Sequence, residues 1–174
     1  GNNFNPTTTG HSGAAERTIT VDGRSENIRL RVQVLPHRSQ AYDVQMRFMP
    51  TLEIGERPDL LKLGYREPDA EVLEAGIRNQ DGLILFSGAT GSGKTTTLAT
   101  LIQMYMYLNT EPSGSLLTKI VTVEDPVEIV IPGITQQQIE GRGEERPEDR
   151  LQRYAAPIRH ALRGDPDMVM VSEI

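Results

Sequence analysis

Three stretches near the start of the chain alternate polar and apolar residues with a period of two. Residues 17–21 (RTITV), 27–35 (NIRLRVQVL) and 41–50 (AYDVQMRFMP) place every second side chain on one face, which predicts half-buried strands. DGRSE between the first two supplies turn residues, and the three strands predict a thin sheet that is part of a domain. Residues 1–15, GNNFNPTTTGHSGAA, carry almost no apolar side chain and are expected to form a mobile tail. Residues 51–67, TLEIGERPDLLKLGYRE, are charged and broken by Gly55, Pro58 and Gly64; they read as a linker with one short helical turn. Pro68 then opens a predicted helix over 68–79, with Val72, Leu73 and Ile77 on one side.

From residue 82 the pattern changes. GLILFSG (82–88), KIVTVED (119–125) and MVMVSE (168–173) are short apolar runs without alternation, as strands covered on both faces require. Residues 95–109 and 148–163 lie between them with helical spacing; the second helix offers Leu151, Tyr154, Ala155, Ile158 and Leu162 as a stripe, with a kink expected at Pro157. Strands alternating with helices predict a three-layer α/β domain around a buried parallel sheet. The expected division is a tail at 1–15, part of an N-terminal domain at 16–50, a linker at 51–67 and an α/β core at 68–174.

Composition narrows the chemistry. The formal net charge is −6, so no broad basic surface for duplex nucleic acid is suggested, and the 5% aromatic content without tryptophan offers few stacking platforms. The absence of cysteine excludes disulfides and thiolate metal sites. His11, His37 and His160 are too far apart to form a ligand motif. No run is long and apolar enough to span a membrane.

The apolar run at 83–86 leads into Gly88-Ala89-Thr90-Gly91-Ser92-Gly93-Lys94-Thr95, the pattern Gly-x-x-x-x-Gly-Lys-Thr. Glycines let the backbone wrap with its N–H groups inward, and the following helix aims its free N-terminal N–H groups at the same anion. Lys94 is expected on the β- and γ-phosphates of ATP and the Thr95 hydroxyl on Mg²⁺. Gly88 to Thr95, with Thr96, form the expected nucleotide-binding set. Hydrolysis further needs acids at the ends of neighbouring strands. Two runs supply them: Val123-Glu124-Asp125-Pro126-Val127-Glu128, and Val171-Ser172-Glu173. Pro126 disfavours a helical conformation at Asp125. A solvated acidic turn is the alternative at the first run, and a strand ending on a solvated charge at the second.

Taken in order, SGATGSGKTTTLATLI, TVEDPVEI and LRGDPDMVMVSEI resemble the Walker A, Asp box and Walker B of the secretion-superfamily traffic ATPases, which serve type II secretion, type IV pili and type IV secretion. RLRVQVLPHRSQAYDVQMRFMP resembles the last strands of that family's PAS-like N-terminal domain, and the flanks and segment 105–119 are most similar to the type IVB and conjugal-transfer branch. The resemblance covers about residues 17–174. It implies a RecA-like P-loop core, preceded by part of a PAS-like α+β domain. It implies ATP and Mg²⁺ as cofactors, a homohexameric ring, and a bacterial cytoplasmic location at the inner membrane beside secretion proteins.

By the same resemblance, Glu124 polarises the attacking water, Glu173 and Asp125 join Thr95 at the metal, Glu128 completes the Asp box, and Arg38 and Arg47 reach the phosphates from the N-terminal domain. Arg159 and Arg163 are expected to serve structure, pairing with acids. Ser172 departs from the glycine usual before the Walker B glutamate. The resemblance ends at Ile174, before the family's Arg-Asp, histidine box and helical C-terminal domain, so the chain is expected to be a fragment or truncated product. The competing expectations are a nucleotide-binding or subunit-interaction module without turnover, and a DNA-dependent P-loop ATPase. No Asn-Lys-x-Asp or Leu-Ser-Gly-Gly sequence favours a GTPase or a transporter ATPase.

Overall fold

The computed structural model describes residues 11–21, 24–36, 42–49, 51, 57–79, 81–139 and 147–172. The chain divides into two compact units, Gly1–Thr51 and Leu52–Ile174.

The first unit holds β1 (His11–Val21), β2 (Arg24–Pro36) and β3 (Tyr42–Met49), an antiparallel sheet in the order β1-β2-β3. The alternation read from the sequence sets its faces. Val32 stands opposite Met46 and Val34 opposite Val44, so apolar side chains share one face. On the other, Arg31 stands directly opposite Arg47. β1 starts earlier than expected. His11 pairs with Val34 and Ala15 with Leu30, so residues 11–15, expected in the tail, belong to the ladder. Ladder hydrogen bonds come from the backbone, and the long edge of β2 accepts partners whose own side chains carry no strand signal. The PAS-like assignment of this sheet remains the resemblance's.

In the second unit β4 (Ile120–Glu124), β5 (Thr135–Gln138) and β6 (Met168–Val171) form a parallel sheet in the order β5-β4-β6. The helices are α1 (Glu67–Arg78), α2 (Lys94–Leu108) and α3 (Pro147–Arg163). β4 is buried along its whole length, which is why it reads as a continuous apolar run. Ile120 packs with Ala99, Ile102 and Met106 of α2, whereas Val121 and Val123 pack with Tyr154 and Ala161 of α3. Helix, sheet and helix therefore make three layers, and Thr122 and Glu124 share the α2 face with Ile120 by the period of the strand. α1 lies against the other side of α2, through Ala70 and Ile77 on Leu101 and Met104. The 3-10 turn Leu60–Leu63, inside the stretch read as linker, delivers Leu60 into the same cluster.

Several expectations change. The buried stripe of α1 is Ala70, Leu73 and Ile77, while Val72 points to solvent. On α3 the stripe is Tyr154, Ile158 and Ala161, with Leu151 and Leu162 exposed. A helix buries the face its neighbours cover, and an apolar side chain one position off that face stays outside. Residues 82–89, expected to include a strand, form no regular element and join no ladder among the described residues. Ile84 lies against Gly76 and Phe86 against the α1–α2 cluster, whereas Leu83 and Leu85 are 87% and 74% exposed. An apolar run signals burial; it does not by itself supply a backbone partner. Conversely, β5 is four polar residues that no apolar pattern announced.

Candidate functional site

The loop 88–93 delivers the chain into α2. Gly91 and Gly93 have φ of 78° and 89°, a left-handed conformation that an L side chain adopts only with strain. Gly93 is the residue at the helix N-terminus and provides no side-chain cap, so the first-turn N–H groups of α2 have no side-chain acceptor there. A Cβ at Gly88 would lie 2.9 Å from Ser92 Oγ, so the loop closes too tightly there for a larger residue without movement of the serine. Lys94 folds back over the loop: its ammonium donates to the carbonyls of Gly88 at 2.8 Å and Ala89 at 2.9 Å. Ser92 N–H donates to the Ala89 carbonyl at 3.2 Å. A cation, uncapped N–H groups and a helix N-terminus thus meet at one turn, a donor set that suits a phosphate chain. Thr95 is half-buried, and Thr90 and Thr96 are exposed.

Glu124 ends β4 at 2% exposure. Its Oε1 accepts from the Thr122 hydroxyl at 2.5 Å and from Gln136 Nε2 at 3.0 Å. The next residue, Asp125, lies across the sheet's carboxyl end from β6. Its N–H donates to Ser172 Oγ at 3.3 Å, and Ser172 N–H donates to the Val123 carbonyl at 3.1 Å. The departure at Ser172 therefore adds a hydroxyl that ties the end of β6 to the acidic turn. Asp125 Oδ2 receives both terminal nitrogens of Arg153 of α3, each at 3.2 Å. The arginine paired with this acid is Arg153, which the sequence reading did not single out; Arg159 is exposed. Glu128 is half-buried on the loop beyond.

The structure thus gathers Glu124, Asp125 and Ser172 at the carboxyl edge of the parallel sheet, with Glu124 on the face that α2 covers. Among the described residues no group of three or more His, Cys, Asp or Glu forms a ready metal cage. Glu173 and Arg38 lie outside the described residues. Arg47 lies in the other unit, exposed on β3 opposite Arg31. That Arg31 is the register neighbour of Arg47 was not legible in the sequence, where it is one of several charges on an alternating strand. Gln136 and Thr122 were also missed, because polar residues near a strand carry no signal until the strand is paired.

A model of the family described as "Type II/IV secretion system protein" matches residues 15–174. The chain is 33% identical over 166 residues to the type II secretion system protein E of Pseudomonas aeruginosa, covering 92% of this chain and 30% of that protein. It is 34% identical over 166 residues to the type II secretion system ATPase E of Vibrio cholerae, covering 92% of this chain and 29% of that protein. With the competence protein ComGA of Bacillus subtilis the identity is 31% over 157 residues, covering 90% of this chain and 39% of that protein. The matched region is about a third of the length of these relatives.

Proposed function

The chain belongs to the family of type II/IV secretion system proteins, and on that premise we propose that it is the nucleotide-binding part of an ATPase that drives a secretion machine. One observation carries the reading: the loop 88–93, with Lys94 drawn over its carbonyls, opens α2 at an N-terminus with no side-chain cap. The donors there fit ATP. The backbone N–H groups of Ala89 to Thr96 and the Lys94 ammonium would hold its phosphates. The Thr95 hydroxyl would hold Mg²⁺, with Glu173 beside it. Asp125, whose Oδ2 is engaged by Arg153, would join them at the metal. When bound, the metal would supply neutralisation of phosphate charge.

Glu124 would orient the attacking water. The water oxygen bonds to the γ-phosphorus, the bond to the β–γ bridging oxygen breaks, and the water's proton passes to the carboxylate. Arg38 and Arg47, from the N-terminal unit, would neutralise phosphate charge. In this reading the N-terminal unit is PAS-like, the core is RecA-like, and six copies form a ring beside inner-membrane secretion proteins on the cytoplasmic side. No helix among the described residues is long and apolar enough to cross a membrane. Three relatives carry type II secretion or competence names. A type IVB or conjugal-transfer branch rests on the flanks and segment 105–119.

The test is ATP binding and phosphate release with Mg²⁺. Lys94→Ala is expected to abolish binding, and Glu124→Gln to keep binding and lose turnover. Normal turnover by Glu124→Gln would remove Glu124 from the chemistry; normal binding by Lys94→Ala would remove the loop from the nucleotide.

A further inference from the structure

The side chain of Gln136 is satisfied in a way that fixes which end of its amide faces Glu124. Ile131 N–H can only donate, and it does so to Gln136 Oε1 at 2.8 Å. The Ile129 carbonyl can only accept, and it takes Gln136 Nε2 at 2.9 Å. A flipped amide would set an oxygen against a carbonyl and an N–H against an N–H. The second hydrogen on Nε2 therefore goes to Glu124 Oε1, at 3.0 Å. The Thr122 hydroxyl reaches the same oxygen. Thr122 is fully buried and Glu124 nearly so, and a carboxylate held by two donors at such depth is confined to one rotamer.

We propose that Gln136 is a positioning residue for ATP hydrolysis: with Thr122 it clamps Oε1 of Glu124 and leaves Oε2 as the oxygen that takes the water. The proposal rests on the reading of Glu124 as the acid that activates water. It also gives the otherwise unannounced strand β5 a task. β5 carries Gln136 alongside β4, and the same amide fastens the loop at Ile129 and Ile131, so the acid's aim is set in part by a strand outside its own motif.

The experiment uses the natural protein that carries these residues. It compares steady-state ATP hydrolysis and the affinity for a fluorescent ATP analogue in Gln136→Met, Thr122→Val and Glu124→Gln, and in each of the first two combined with Glu124→Gln. Gln136→Met and Thr122→Val are each expected to lower kcat by about 10- to 100-fold, part of what a positioned base contributes. KM and analogue affinity are expected to stay within about twofold, since neither residue lies in the phosphate loop. In the Glu124→Gln background neither is expected to lower the residual single-turnover rate further. An unchanged kcat in both single variants overturns the proposal, as does a loss that is equally large in the Glu124→Gln background or that tracks nucleotide affinity. If Gln136→Met does not fold, Thr122→Val, which trades a hydroxyl for a methyl, decides the matter. Normal turnover by Glu124→Gln overturns the underlying reading as well, and is thereby told apart from a failure of the clamp alone.

Discussion

The pair between Arg153 and Asp125 joins α3 to the acidic turn after β4, and its strength can be worked from the structure. Both terminal nitrogens of Arg153 lie 3.2 Å from Asp125 Oδ2, and the side chains are 21% and 18% exposed. At an effective dielectric of about 20, opposite charges at that distance attract by about 5 kcal/mol. Most of this is offset by the hydration both groups lose, which leaves a coupling of about 1–3 kcal/mol, above that of a surface pair and below a fully buried one. Arg153 has further interactions, so single variants do not isolate the pair. The appropriate measurement is a double-mutant cycle in urea with Arg153→Met, Asp125→Asn and the double variant, repeated at high salt. Arg153→Met is expected to destabilise, and to cost markedly less once Asp125 is Asn. The coupling should persist at 1 M salt, because partly buried charges are weakly screened. The Arg66–Asp69 pair, open to solvent, should show no such persistent coupling. A coupling below about 0.5 kcal/mol, or one that salt abolishes, would refute the argument that α3 anchors this turn.

Other outcomes follow from the same packing. Ile102→Ala should cost about 2–5 kcal/mol, because this 2% exposed side chain sits between α2 and the sheet, and the urea midpoint should fall accordingly. Gly93→Ala should weaken nucleotide binding without a steric clash, since φ is 89° and nothing lies within 4 Å of the added Cβ; unchanged affinity would mean the turn tolerates strain or need not hold its shape. Burial, and then the negative charge of Asp167, raise the Tyr105 phenol above its ordinary value. A raised folded value means that its contribution to stability is present below pH about 10 and is lost as pH rises through the folded value. Tyr105→Phe should therefore flatten the alkaline fall in melting temperature, and an unchanged slope would assign that fall to other groups.

The sequence by itself determined the parts of this protein that local chemistry dictates. The glycines announced the tight turn before α2, because Gly91 and Gly93 stand at φ of 78° and 89°, where a side chain is strained, and Lys94 marked the cation that folds back over it. The apolar runs ending at Glu124 and Val171 announced the strands β4 and β6, and helical spacing located α1, α2 and α3 to within one or two residues. The tertiary structure alone decided what depends on a partner distant in the chain. That Leu151 and Leu162 face out while Tyr154 and Ala161 face in depends on where β4 lies. That Arg31 meets Arg47 depends on strand register. That polar Gln136 sits in a strand and reaches Glu124 depends on β5 pairing with β4, and that Arg153 and Ser172 hold Asp125 depends on α3 and β6 returning to the carboxyl end of β4. Hydrophobic periodicity records burial along one element, whereas hydrogen bonds and ion pairs at the site are made between elements, and their partners exist only once the chain has folded.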